Sequence, residues 1–261
     1  MEMQFYKFDG AGNDFVIVDN REGRYHLTEE EIAGLCHRRF GVGADGLMTL
    51  ESTELEDYAF EMKYYNSDGR LGSMCGNGGR CITAFAHMLG LGTKLHFKGY
   101  DGPHDAEVLV WDGHVGLVRL GMRSVAVDDV KRMADGWFLD TGSPHYVQRV
   151  DDLEHYDVVG EGRRLRHRTD LFPEGANINF IEDRPDGRLF VRTYERGVED
   201  ETWACGTGVT ACAIISGNHR LVTRGGDFRV DFEATGTEYT NVQLTGPVSL
   251  NFTGTWTFSA Q

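Results

Sequence analysis

The stretch Ser73-Met74-Cys75-Gly76-Asn77-Gly78-Gly79-Arg80-Cys81 places a thiol directly before a glycine-rich turn that runs into apolar residues. Trp203-Ala204-Cys205-Gly206-Thr207-Gly208-Val209-Thr210-Ala211-Cys212 does nearly the same later on. Cys75 and Cys205 lie 130 residues apart, about half of the 261-residue chain. The same offset carries Phe60 onto Phe190, Tyr64 onto Tyr194, Gly78 onto Gly208 and Gly12 onto Gly142, and an offset of 132 carries Phe40, Gly43 and Ala44 onto Phe172, Gly175 and Ala176. Each match alone is weak, but a shared spacing is the mark of an internal repeat. The chain therefore reads as two similar lobes, residues 1–125 with Cys75 and 126–261 with Cys205, the last strands being free to cross back to the first lobe.

Local signals give each lobe an α+β character. Phe15–Val18 is a short apolar strand, and Thr28 with Glu31 forms a capping box that opens a helix carrying Ile32, Leu35, Cys36 and Phe40 on one face and ending at Gly41. Tyr58–Asn66 and Arg188–Gly197 read as strands leading into each cysteine turn. After the cysteines, Ile82–Leu89 and Val209–Ile215 are apolar nearly all round, as in helices buried on every side. The alternating runs Ala106–Trp111, His114–Leu120, Asp227–Ala234 and Val248–Phe258 supply strands to wrap around such helices. The expected architecture is two pseudo-symmetric lobes, each a mixed sheet around a central buried helix.

A cysteine at a helix start meets unpaired backbone N–H groups and the positive end of the helix dipole, a combination that stabilises an anion. The thiol pKa should fall toward neutrality, and the amides of Gly76, Asn77 and Gly78 in one lobe and Gly206, Thr207 and Gly208 in the other could hold a carboxylate. A small buried hydrophobe beside a tight turn explains one such cysteine; two in matching repeat positions call for chemistry. If the lobes face each other across a pseudo-two-fold axis, one sulfur can take a proton from one face of a carbon while the other returns a proton to the opposite face. The resulting carbanion is stabilised by the groups that bind the carboxylate.

Several other chemistries are disfavoured. The five cysteines are an odd set with no Cys-x-x-Cys or His-x-x-x-His spacing, which gives little support to a disulfide scaffold or a zinc site. The five lysines lie outside the cysteine turns, where a pyridoxal enzyme needs one, and the glycine runs fit neither a phosphate loop nor a dinucleotide fingerprint. No cofactor and no metal are expected. The formal charge of −15 opposes nucleic acid and anionic membranes, and neither a signal sequence nor a run of eighteen apolar residues is found, so a cytoplasmic enzyme acting on a small molecule is expected. A homodimer is left open.

The motifs Gly10–Asn20 (GAGNDFVIVDN), Asn66–Gly69 (NSDG) followed by MCGNGGRC, Gly175–Phe180 (GANINF), Tyr194–Gly197 (YERG) and Glu201–Gly208 (ETWACGTG) together resemble the ordered motif set of diaminopimelate epimerases over nearly the whole chain. The resemblance implies a cofactor-free, two-cysteine isomerase that converts LL- to meso-diaminopimelate in lysine and peptidoglycan precursor biosynthesis. By matching position it makes Cys75 and Cys205 the acid/base pair, with Gly76, Asn77, Gly206 and Thr207 giving amides to the reacting carboxylate. Asn13, Asn66, Asn177 and Arg196 would bind substrate, Arg196 through a bidentate contact to the distal carboxylate, and Glu195 would sit near the reacting ammonium. His145 matches a histidine near a catalytic cysteine, while Ser143 departs from the family's asparagine. Two rivals remain. A proline or hydroxyproline epimerase would usually have His where Asn77 stands. A non-catalytic thiol or redox protein would hold both sulfurs in one short loop.

Overall fold

The computed structural model describes residues 2–72, 75–133 and 135–258, so Ser73 and Met74 of the first cysteine stretch lie outside the described residues. The chain divides into two compact units, Met1–Leu120 with Pro247–Gln261, and Gly121–Gly246.

The first unit contains β1 (Glu2–Gly10), β2 (Asn13–Asp19), α1 (Glu29–Cys36), β3 (Gly46–Glu51), β4 (Glu61–Asn66), α2 (Gly76–Met88), β5 (Lys94–Gly99), β6 (Gly102–Trp111) and β7 (Val115–Gly121). β1 and β2 pair antiparallel, β2 and β3 parallel, β3 and β4 antiparallel, β4 and β5 parallel, and β5, β6 and β7 antiparallel. Phe15, Val16, Ile17 and Val18 are all buried, because helices cover both faces of this strand. Val16 and Val18 join Ile32, Leu35 and Cys36 of α1, while α2 packs on the other face, where Phe85 meets Phe8 and Tyr6. Burying side chains such as Phe85 and Ile82 contributes roughly 1.5–3 kcal/mol each, which offsets the poor helix propensity of Gly76, Gly78 and Gly79 in the first turn of α2.

The second unit repeats the plan. It contains β8 (Val125–Ala126), β9 (Lys131–Met133), β10 (Gly136–Asp140), β11 (Pro144–Arg149), α3 (Val158–Arg166), β12 (Asn177–Asp183), β13 (Leu189–Glu195), β14 (Asp200–Thr202), α4 (Gly206–Ser216), β15 (Arg220–Thr223), β16 (Gly226–Ala234) and β17 (Glu238–Thr257). β10 and β11 pair antiparallel, β11 and β12 parallel, β12 and β13 antiparallel, β13 and β15 parallel, and β15, β16 and β17 antiparallel. This is the order of the first unit, with α3 and α4 in the roles of α1 and α2. α4 is buried from Gly208 to Ile214. α3 packs through Val158 and Leu165 on Tyr146, Ile178, Phe180 and Tyr194.

β17 is shared. Its first part pairs with β16, whereas Ser249–Thr257 pair antiparallel with Glu2–Asp9 of β1.

One local expectation fails. α1 ends at Cys36, and Phe40 is 83% exposed rather than packed on the helix face. His37 leaves helical geometry, and its Nδ1 accepts from the amides of Arg39 and Phe40. The chain then folds back, so that the amides of Val42 and Ala44 satisfy the carbonyls of Leu35 and Cys36. Gly41 permits this return, since a Cβ there would lie 2.1 Å from the Gly34 carbonyl oxygen. The capping box of Thr28 and Glu31 is present, and Cys36 is core, its thiol pushed up to about 12 by burial.

Candidate active site

Each cysteine is the N-cap of its unit's central helix. Cys75 and Cys205 both have extended backbone, and their carbonyls accept from the amides of Gly79 and Val209, each at 2.8 Å. The amides of Gly76, Asn77 and Gly78, and of Gly206, Thr207 and Gly208, therefore precede the intrahelical ladder at the positive ends of α2 and α4. The glycines have steric reasons to be there. A Cβ on Gly208 would lie 2.5 Å from Asn179 Oδ1, and one on Gly78 would lie 3.0 Å from Met48 Sδ.

In the first unit Cys75 is half-buried and its Sγ donates to Asn13 Oδ1 at 3.4 Å. Asn77 Nδ2 donates to the same oxygen at 3.3 Å. The Asn13 amide is oriented by its Nδ2, which donates to Asp45 at 2.6 Å. Behind Asp45, Arg38 bridges it to Asp14, and Lys7 also bonds Asp14. Burial alone would raise the Asp14 carboxyl, but hydrogen bonds from Arg38 and Lys7 hold it at about 2. Arg80, wholly buried, donates to Asn77 Oδ1 at 3.0 Å and to the Gly76 carbonyl at 3.1 Å, fixing the Asn77 amide. Burial pulls Arg80 down to about 10, against the opposing pull of Cys81 and Cys75. Asn66 ends β4, exposed, with its amide on the Arg70 carbonyl.

In the second unit Cys205 Sγ lies 3.5 Å from Thr207 Oγ1, which is 2.9 Å from His145 Nε2. The Thr207 carbonyl accepts from Thr141 at 2.8 Å. His145 Nδ1 faces Asn179 Nδ2 at 3.1 Å. Asn177 ties three strand ends together: its Oδ1 accepts the Arg196 amide at 2.9 Å, and its Nδ2 donates to Ser143 Oγ and to the Pro144 carbonyl. Arg196 follows β13 half-buried, directing Nη1 to the Glu174 carbonyl at 3.2 Å. Glu195, the last residue of β13, is also half-buried.

Burial, with a further push from Arg196, lowers His145 to about 3. The folded-state pKa is below the ordinary 6.5, so the neutral ring contributes stability that is present above pH 6.5 and is lost as pH falls toward 3. Each pH unit in that window is worth up to about 1.4 kcal/mol. Urea unfolding at pH 6.5 and pH 5 should show the native protein losing about 2 kcal/mol more than a His145→Gln variant. Equal losses would mean that His145 is not held neutral.

The structure thus groups Cys75, Gly76, Asn77 and Asn13 at one corner, and Cys205, Gly206, Thr207 and His145 at another, with Asn177 and Arg196 joined to each other beside the start of β11. Sequence reasoning missed Asn179, Thr193, Asp45 and Arg80. Asn179 was within reach, since on β12 it shares the face of Asn177 by the two-residue period of a strand. Among the described residues, no group of His, Cys, Asp or Glu is placed to hold a metal ion, and no helix is long and apolar enough to cross a membrane.

Comparison with known proteins bears on these corners. The sequence model of the family described as diaminopimelate epimerase matches residues 5–119 and 137–250. The chain belongs to the diaminopimelate epimerase family. Within that family it is 47% identical to the diaminopimelate epimerase of Chlorobaculum tepidum over 213 residues, covering 79% of this chain and 80% of the relative. It is 42% identical to that of Flavobacterium psychrophilum over 261 residues, covering 96% and 98%. A crystal structure of a probable proline racemase from Agrobacterium radiobacter K84 superposes with a TM-score of 0.70 at 15% identity, covering 99% of this chain and 93% of that one. That likeness extends the α+β repeat fold beyond the diaminopimelate epimerase family without carrying substrate information. The family match covers both cysteine motifs and most of the strands in each unit.

Proposed function

We propose that the chain is a cofactor-independent diaminopimelate epimerase in which Cys75 and Cys205 exchange the roles of base and acid at one α-carbon. The observation that carries the reading is the placement of a cysteine at the N-cap of the buried helix in each repeat of a chain from this family. A thiolate takes the α-hydrogen, the other thiol protonates the opposite face, and the roles swap in the reverse direction. The amides of Gly76, Asn77, Gly206 and Thr207 stabilise the charge that builds on the reacting carboxylate. Asn13, Asn66 and Asn177 line the substrate's path, and Glu195 faces the reacting ammonium. Arg196 reads the distal carboxylate. Such a reaction belongs in lysine and peptidoglycan precursor synthesis.

Incubation in deuterated buffer tests the substrate. LL- and meso-diaminopimelate should each gain one solvent deuteron at the reacting carbon and interconvert, whereas proline and hydroxyproline should not. Exchange with proline alone would overturn the assignment in favour of the proline-type reading.

The distal contact has its own test. Arg196→Lys keeps the charge but loses the planar pair of donors. Loss of one charge-assisted hydrogen bond, about 1.5–3 kcal/mol, predicts a fall in kcat/KM of roughly 10- to 100-fold, mostly through KM. The urea midpoint should stay nearly unchanged. Unaltered kinetics would place Arg196 outside the substrate site.

A further inference from the structure

The two repeats put different residues behind their cysteines. On α2 the open side of Gly78 faces Met48 and Phe15, and on α4 the same side of Gly208 faces Asn179 and His145. The registers make these positions equivalent. Phe15 pairs with Gly46 where His145 pairs with Asn177, and Met48 stands opposite Tyr64 where Asn179 stands opposite Thr193. An apolar pair in the first unit is thus a polar pair in the second.

We propose that Asn179 is a positioning residue of the reaction, holding His145 in the Nε2–H tautomer so that Thr207 turns its hydroxyl proton to Cys205 and makes Cys205 the thiolate, and Cys75 the thiol, of the free enzyme. The role rests on the acid/base assignment given above.

Each step is a donor and acceptor assignment. Asn179 Oδ1 accepts from Thr193 Oγ1 at 2.9 Å, and its Nδ2 donates to the Tyr146 carbonyl at 3.0 Å; turned over, the amide would set its oxygen against that carbonyl. Nδ2 therefore presents a proton to His145 Nδ1, which must accept it, and the ring proton sits on Nε2. Thr207 Oγ1 accepts that proton, leaving its own O–H to point at Cys205 Sγ. A hydroxyl donor stabilises a thiolate. At Cys75 the polarity is opposite. Asp45 takes an Asn13 amide proton, so Asn13 offers Cys75 an acceptor oxygen, and that contact favours the protonated thiol against the pull of the buried Arg80 cation.

Other charged groups near Cys205 do not reverse this. His145 on β11 is neutral, Cys212 further along α4 is kept protonated by burial, and Arg196 beyond β13 is a cation. Asp140 on β10 faces Arg123, Asp231 on β16 faces Arg229, and Glu195 at the end of β13 adjoins Arg196. Turnover from this form begins with Cys205: its thiolate takes the α-hydrogen as a proton, and Cys75 gives its proton to the carbanion. The products are a protonated Cys205, a Cys75 thiolate and the inverted substrate.

Two measurements on the intact chain test the wiring. With ¹⁵N-labelled histidine, His145 should show the Nε2–H tautomer in the native protein and lose that fixed form in Asn179→Met, which installs the first unit's residue. In parallel, iodoacetamide labelling across a pH series, read peptide by peptide and scaled to each site's own plateau, should give Cys205 a lower midpoint than Cys75. Thr207→Val should raise the Cys205 midpoint by about one pH unit, tenfold in its thiol–thiolate equilibrium, and leave Cys75 in place. Asn179→Met should act in the same direction, and Thr207→Ser should restore the native value. An Nδ1–H tautomer in the native protein, a lower midpoint at Cys75, or an unmoved Cys205 in a folded Thr207→Val variant would each overturn the proposal. If Asn179→Met fails to fold, the Thr207 pair decides. The expected labelling order in a protein that exchanges no diaminopimelate hydrogen would overturn the proposed function alone.

Discussion

Cys75→Ala and Cys205→Ala are each expected to lower epimerisation on the order of 10²- to 10⁴-fold, the contribution of a positioned acid or base. Either change leaves one thiol, able to remove a proton from its own face and return one there, with nothing on the other side. Each variant should therefore still exchange an α-hydrogen with solvent slowly, while inversion is lost far more severely than exchange. That split is the informative reading, because a merely misfolded enzyme would lose both together. Cys36→Ala is the control: this thiol is core, with its pKa pushed up by burial, and a folded variant should stay active. Full inversion by either single variant would remove the two-thiol mechanism.

The largest stability effect is expected from Glu201→Ala. Arg192 and Glu201 form a two-pronged bridge, both bonds at 2.6 Å, with side chains only 6% and 10% exposed. Arg192 also donates to the Leu153 and Tyr156 carbonyls, and Glu201 receives Arg224. Removing the carboxylate leaves a guanidinium buried without its countercharge, at a cost of about 3–5 kcal/mol. A double change, Arg192→Met with Glu201→Leu, removes both charges and should recover most of that loss. Urea unfolding of the two variants checks this. If the double variant is as unstable as the single one, the carbonyl contacts of Arg192 matter more than the pair. The motif Glu201–Gly208 thus carries a structural anchor at one end and the cysteine at the other.

The repeat was legible in the sequence because its punctuation is glycine and cysteine at a fixed spacing, and those residues are constrained by backbone geometry and by the helix starts at Gly76 and Gly206. The expected apolar helices were also found, though they begin six and three residues before their apolar runs, at glycines whose low propensity hides the first turn. Phe40 was misplaced because the helix period continues through residues 37–40 on paper, while the turn is set by His37 accepting two backbone amides, a contact that periodicity does not encode. In the site, the cysteines and the residues next to them, Gly76, Asn77, Gly206 and Thr207, were visible, whereas Arg80 in the same motif was not. Those acting from elsewhere in the fold, Asn179 and Thr193 on paired strands and Asp45 just before β3, were not, because their partners are set by pairing and packing that only folding defines.

β17 has a consequence for how the protein is made. β1 leaves the ribosome well before its partner segment, Ser249–Thr257. The unit with Cys75 therefore cannot cover that side of β1 until residues 249–257 have been made, whereas Gly121–Gly246 is continuous and can close as it emerges. The unit begun before Gly121–Gly246 is finished after it, and in the interval the exposed edge of β1 is the nascent chain's point of vulnerability to pairing with the wrong strand.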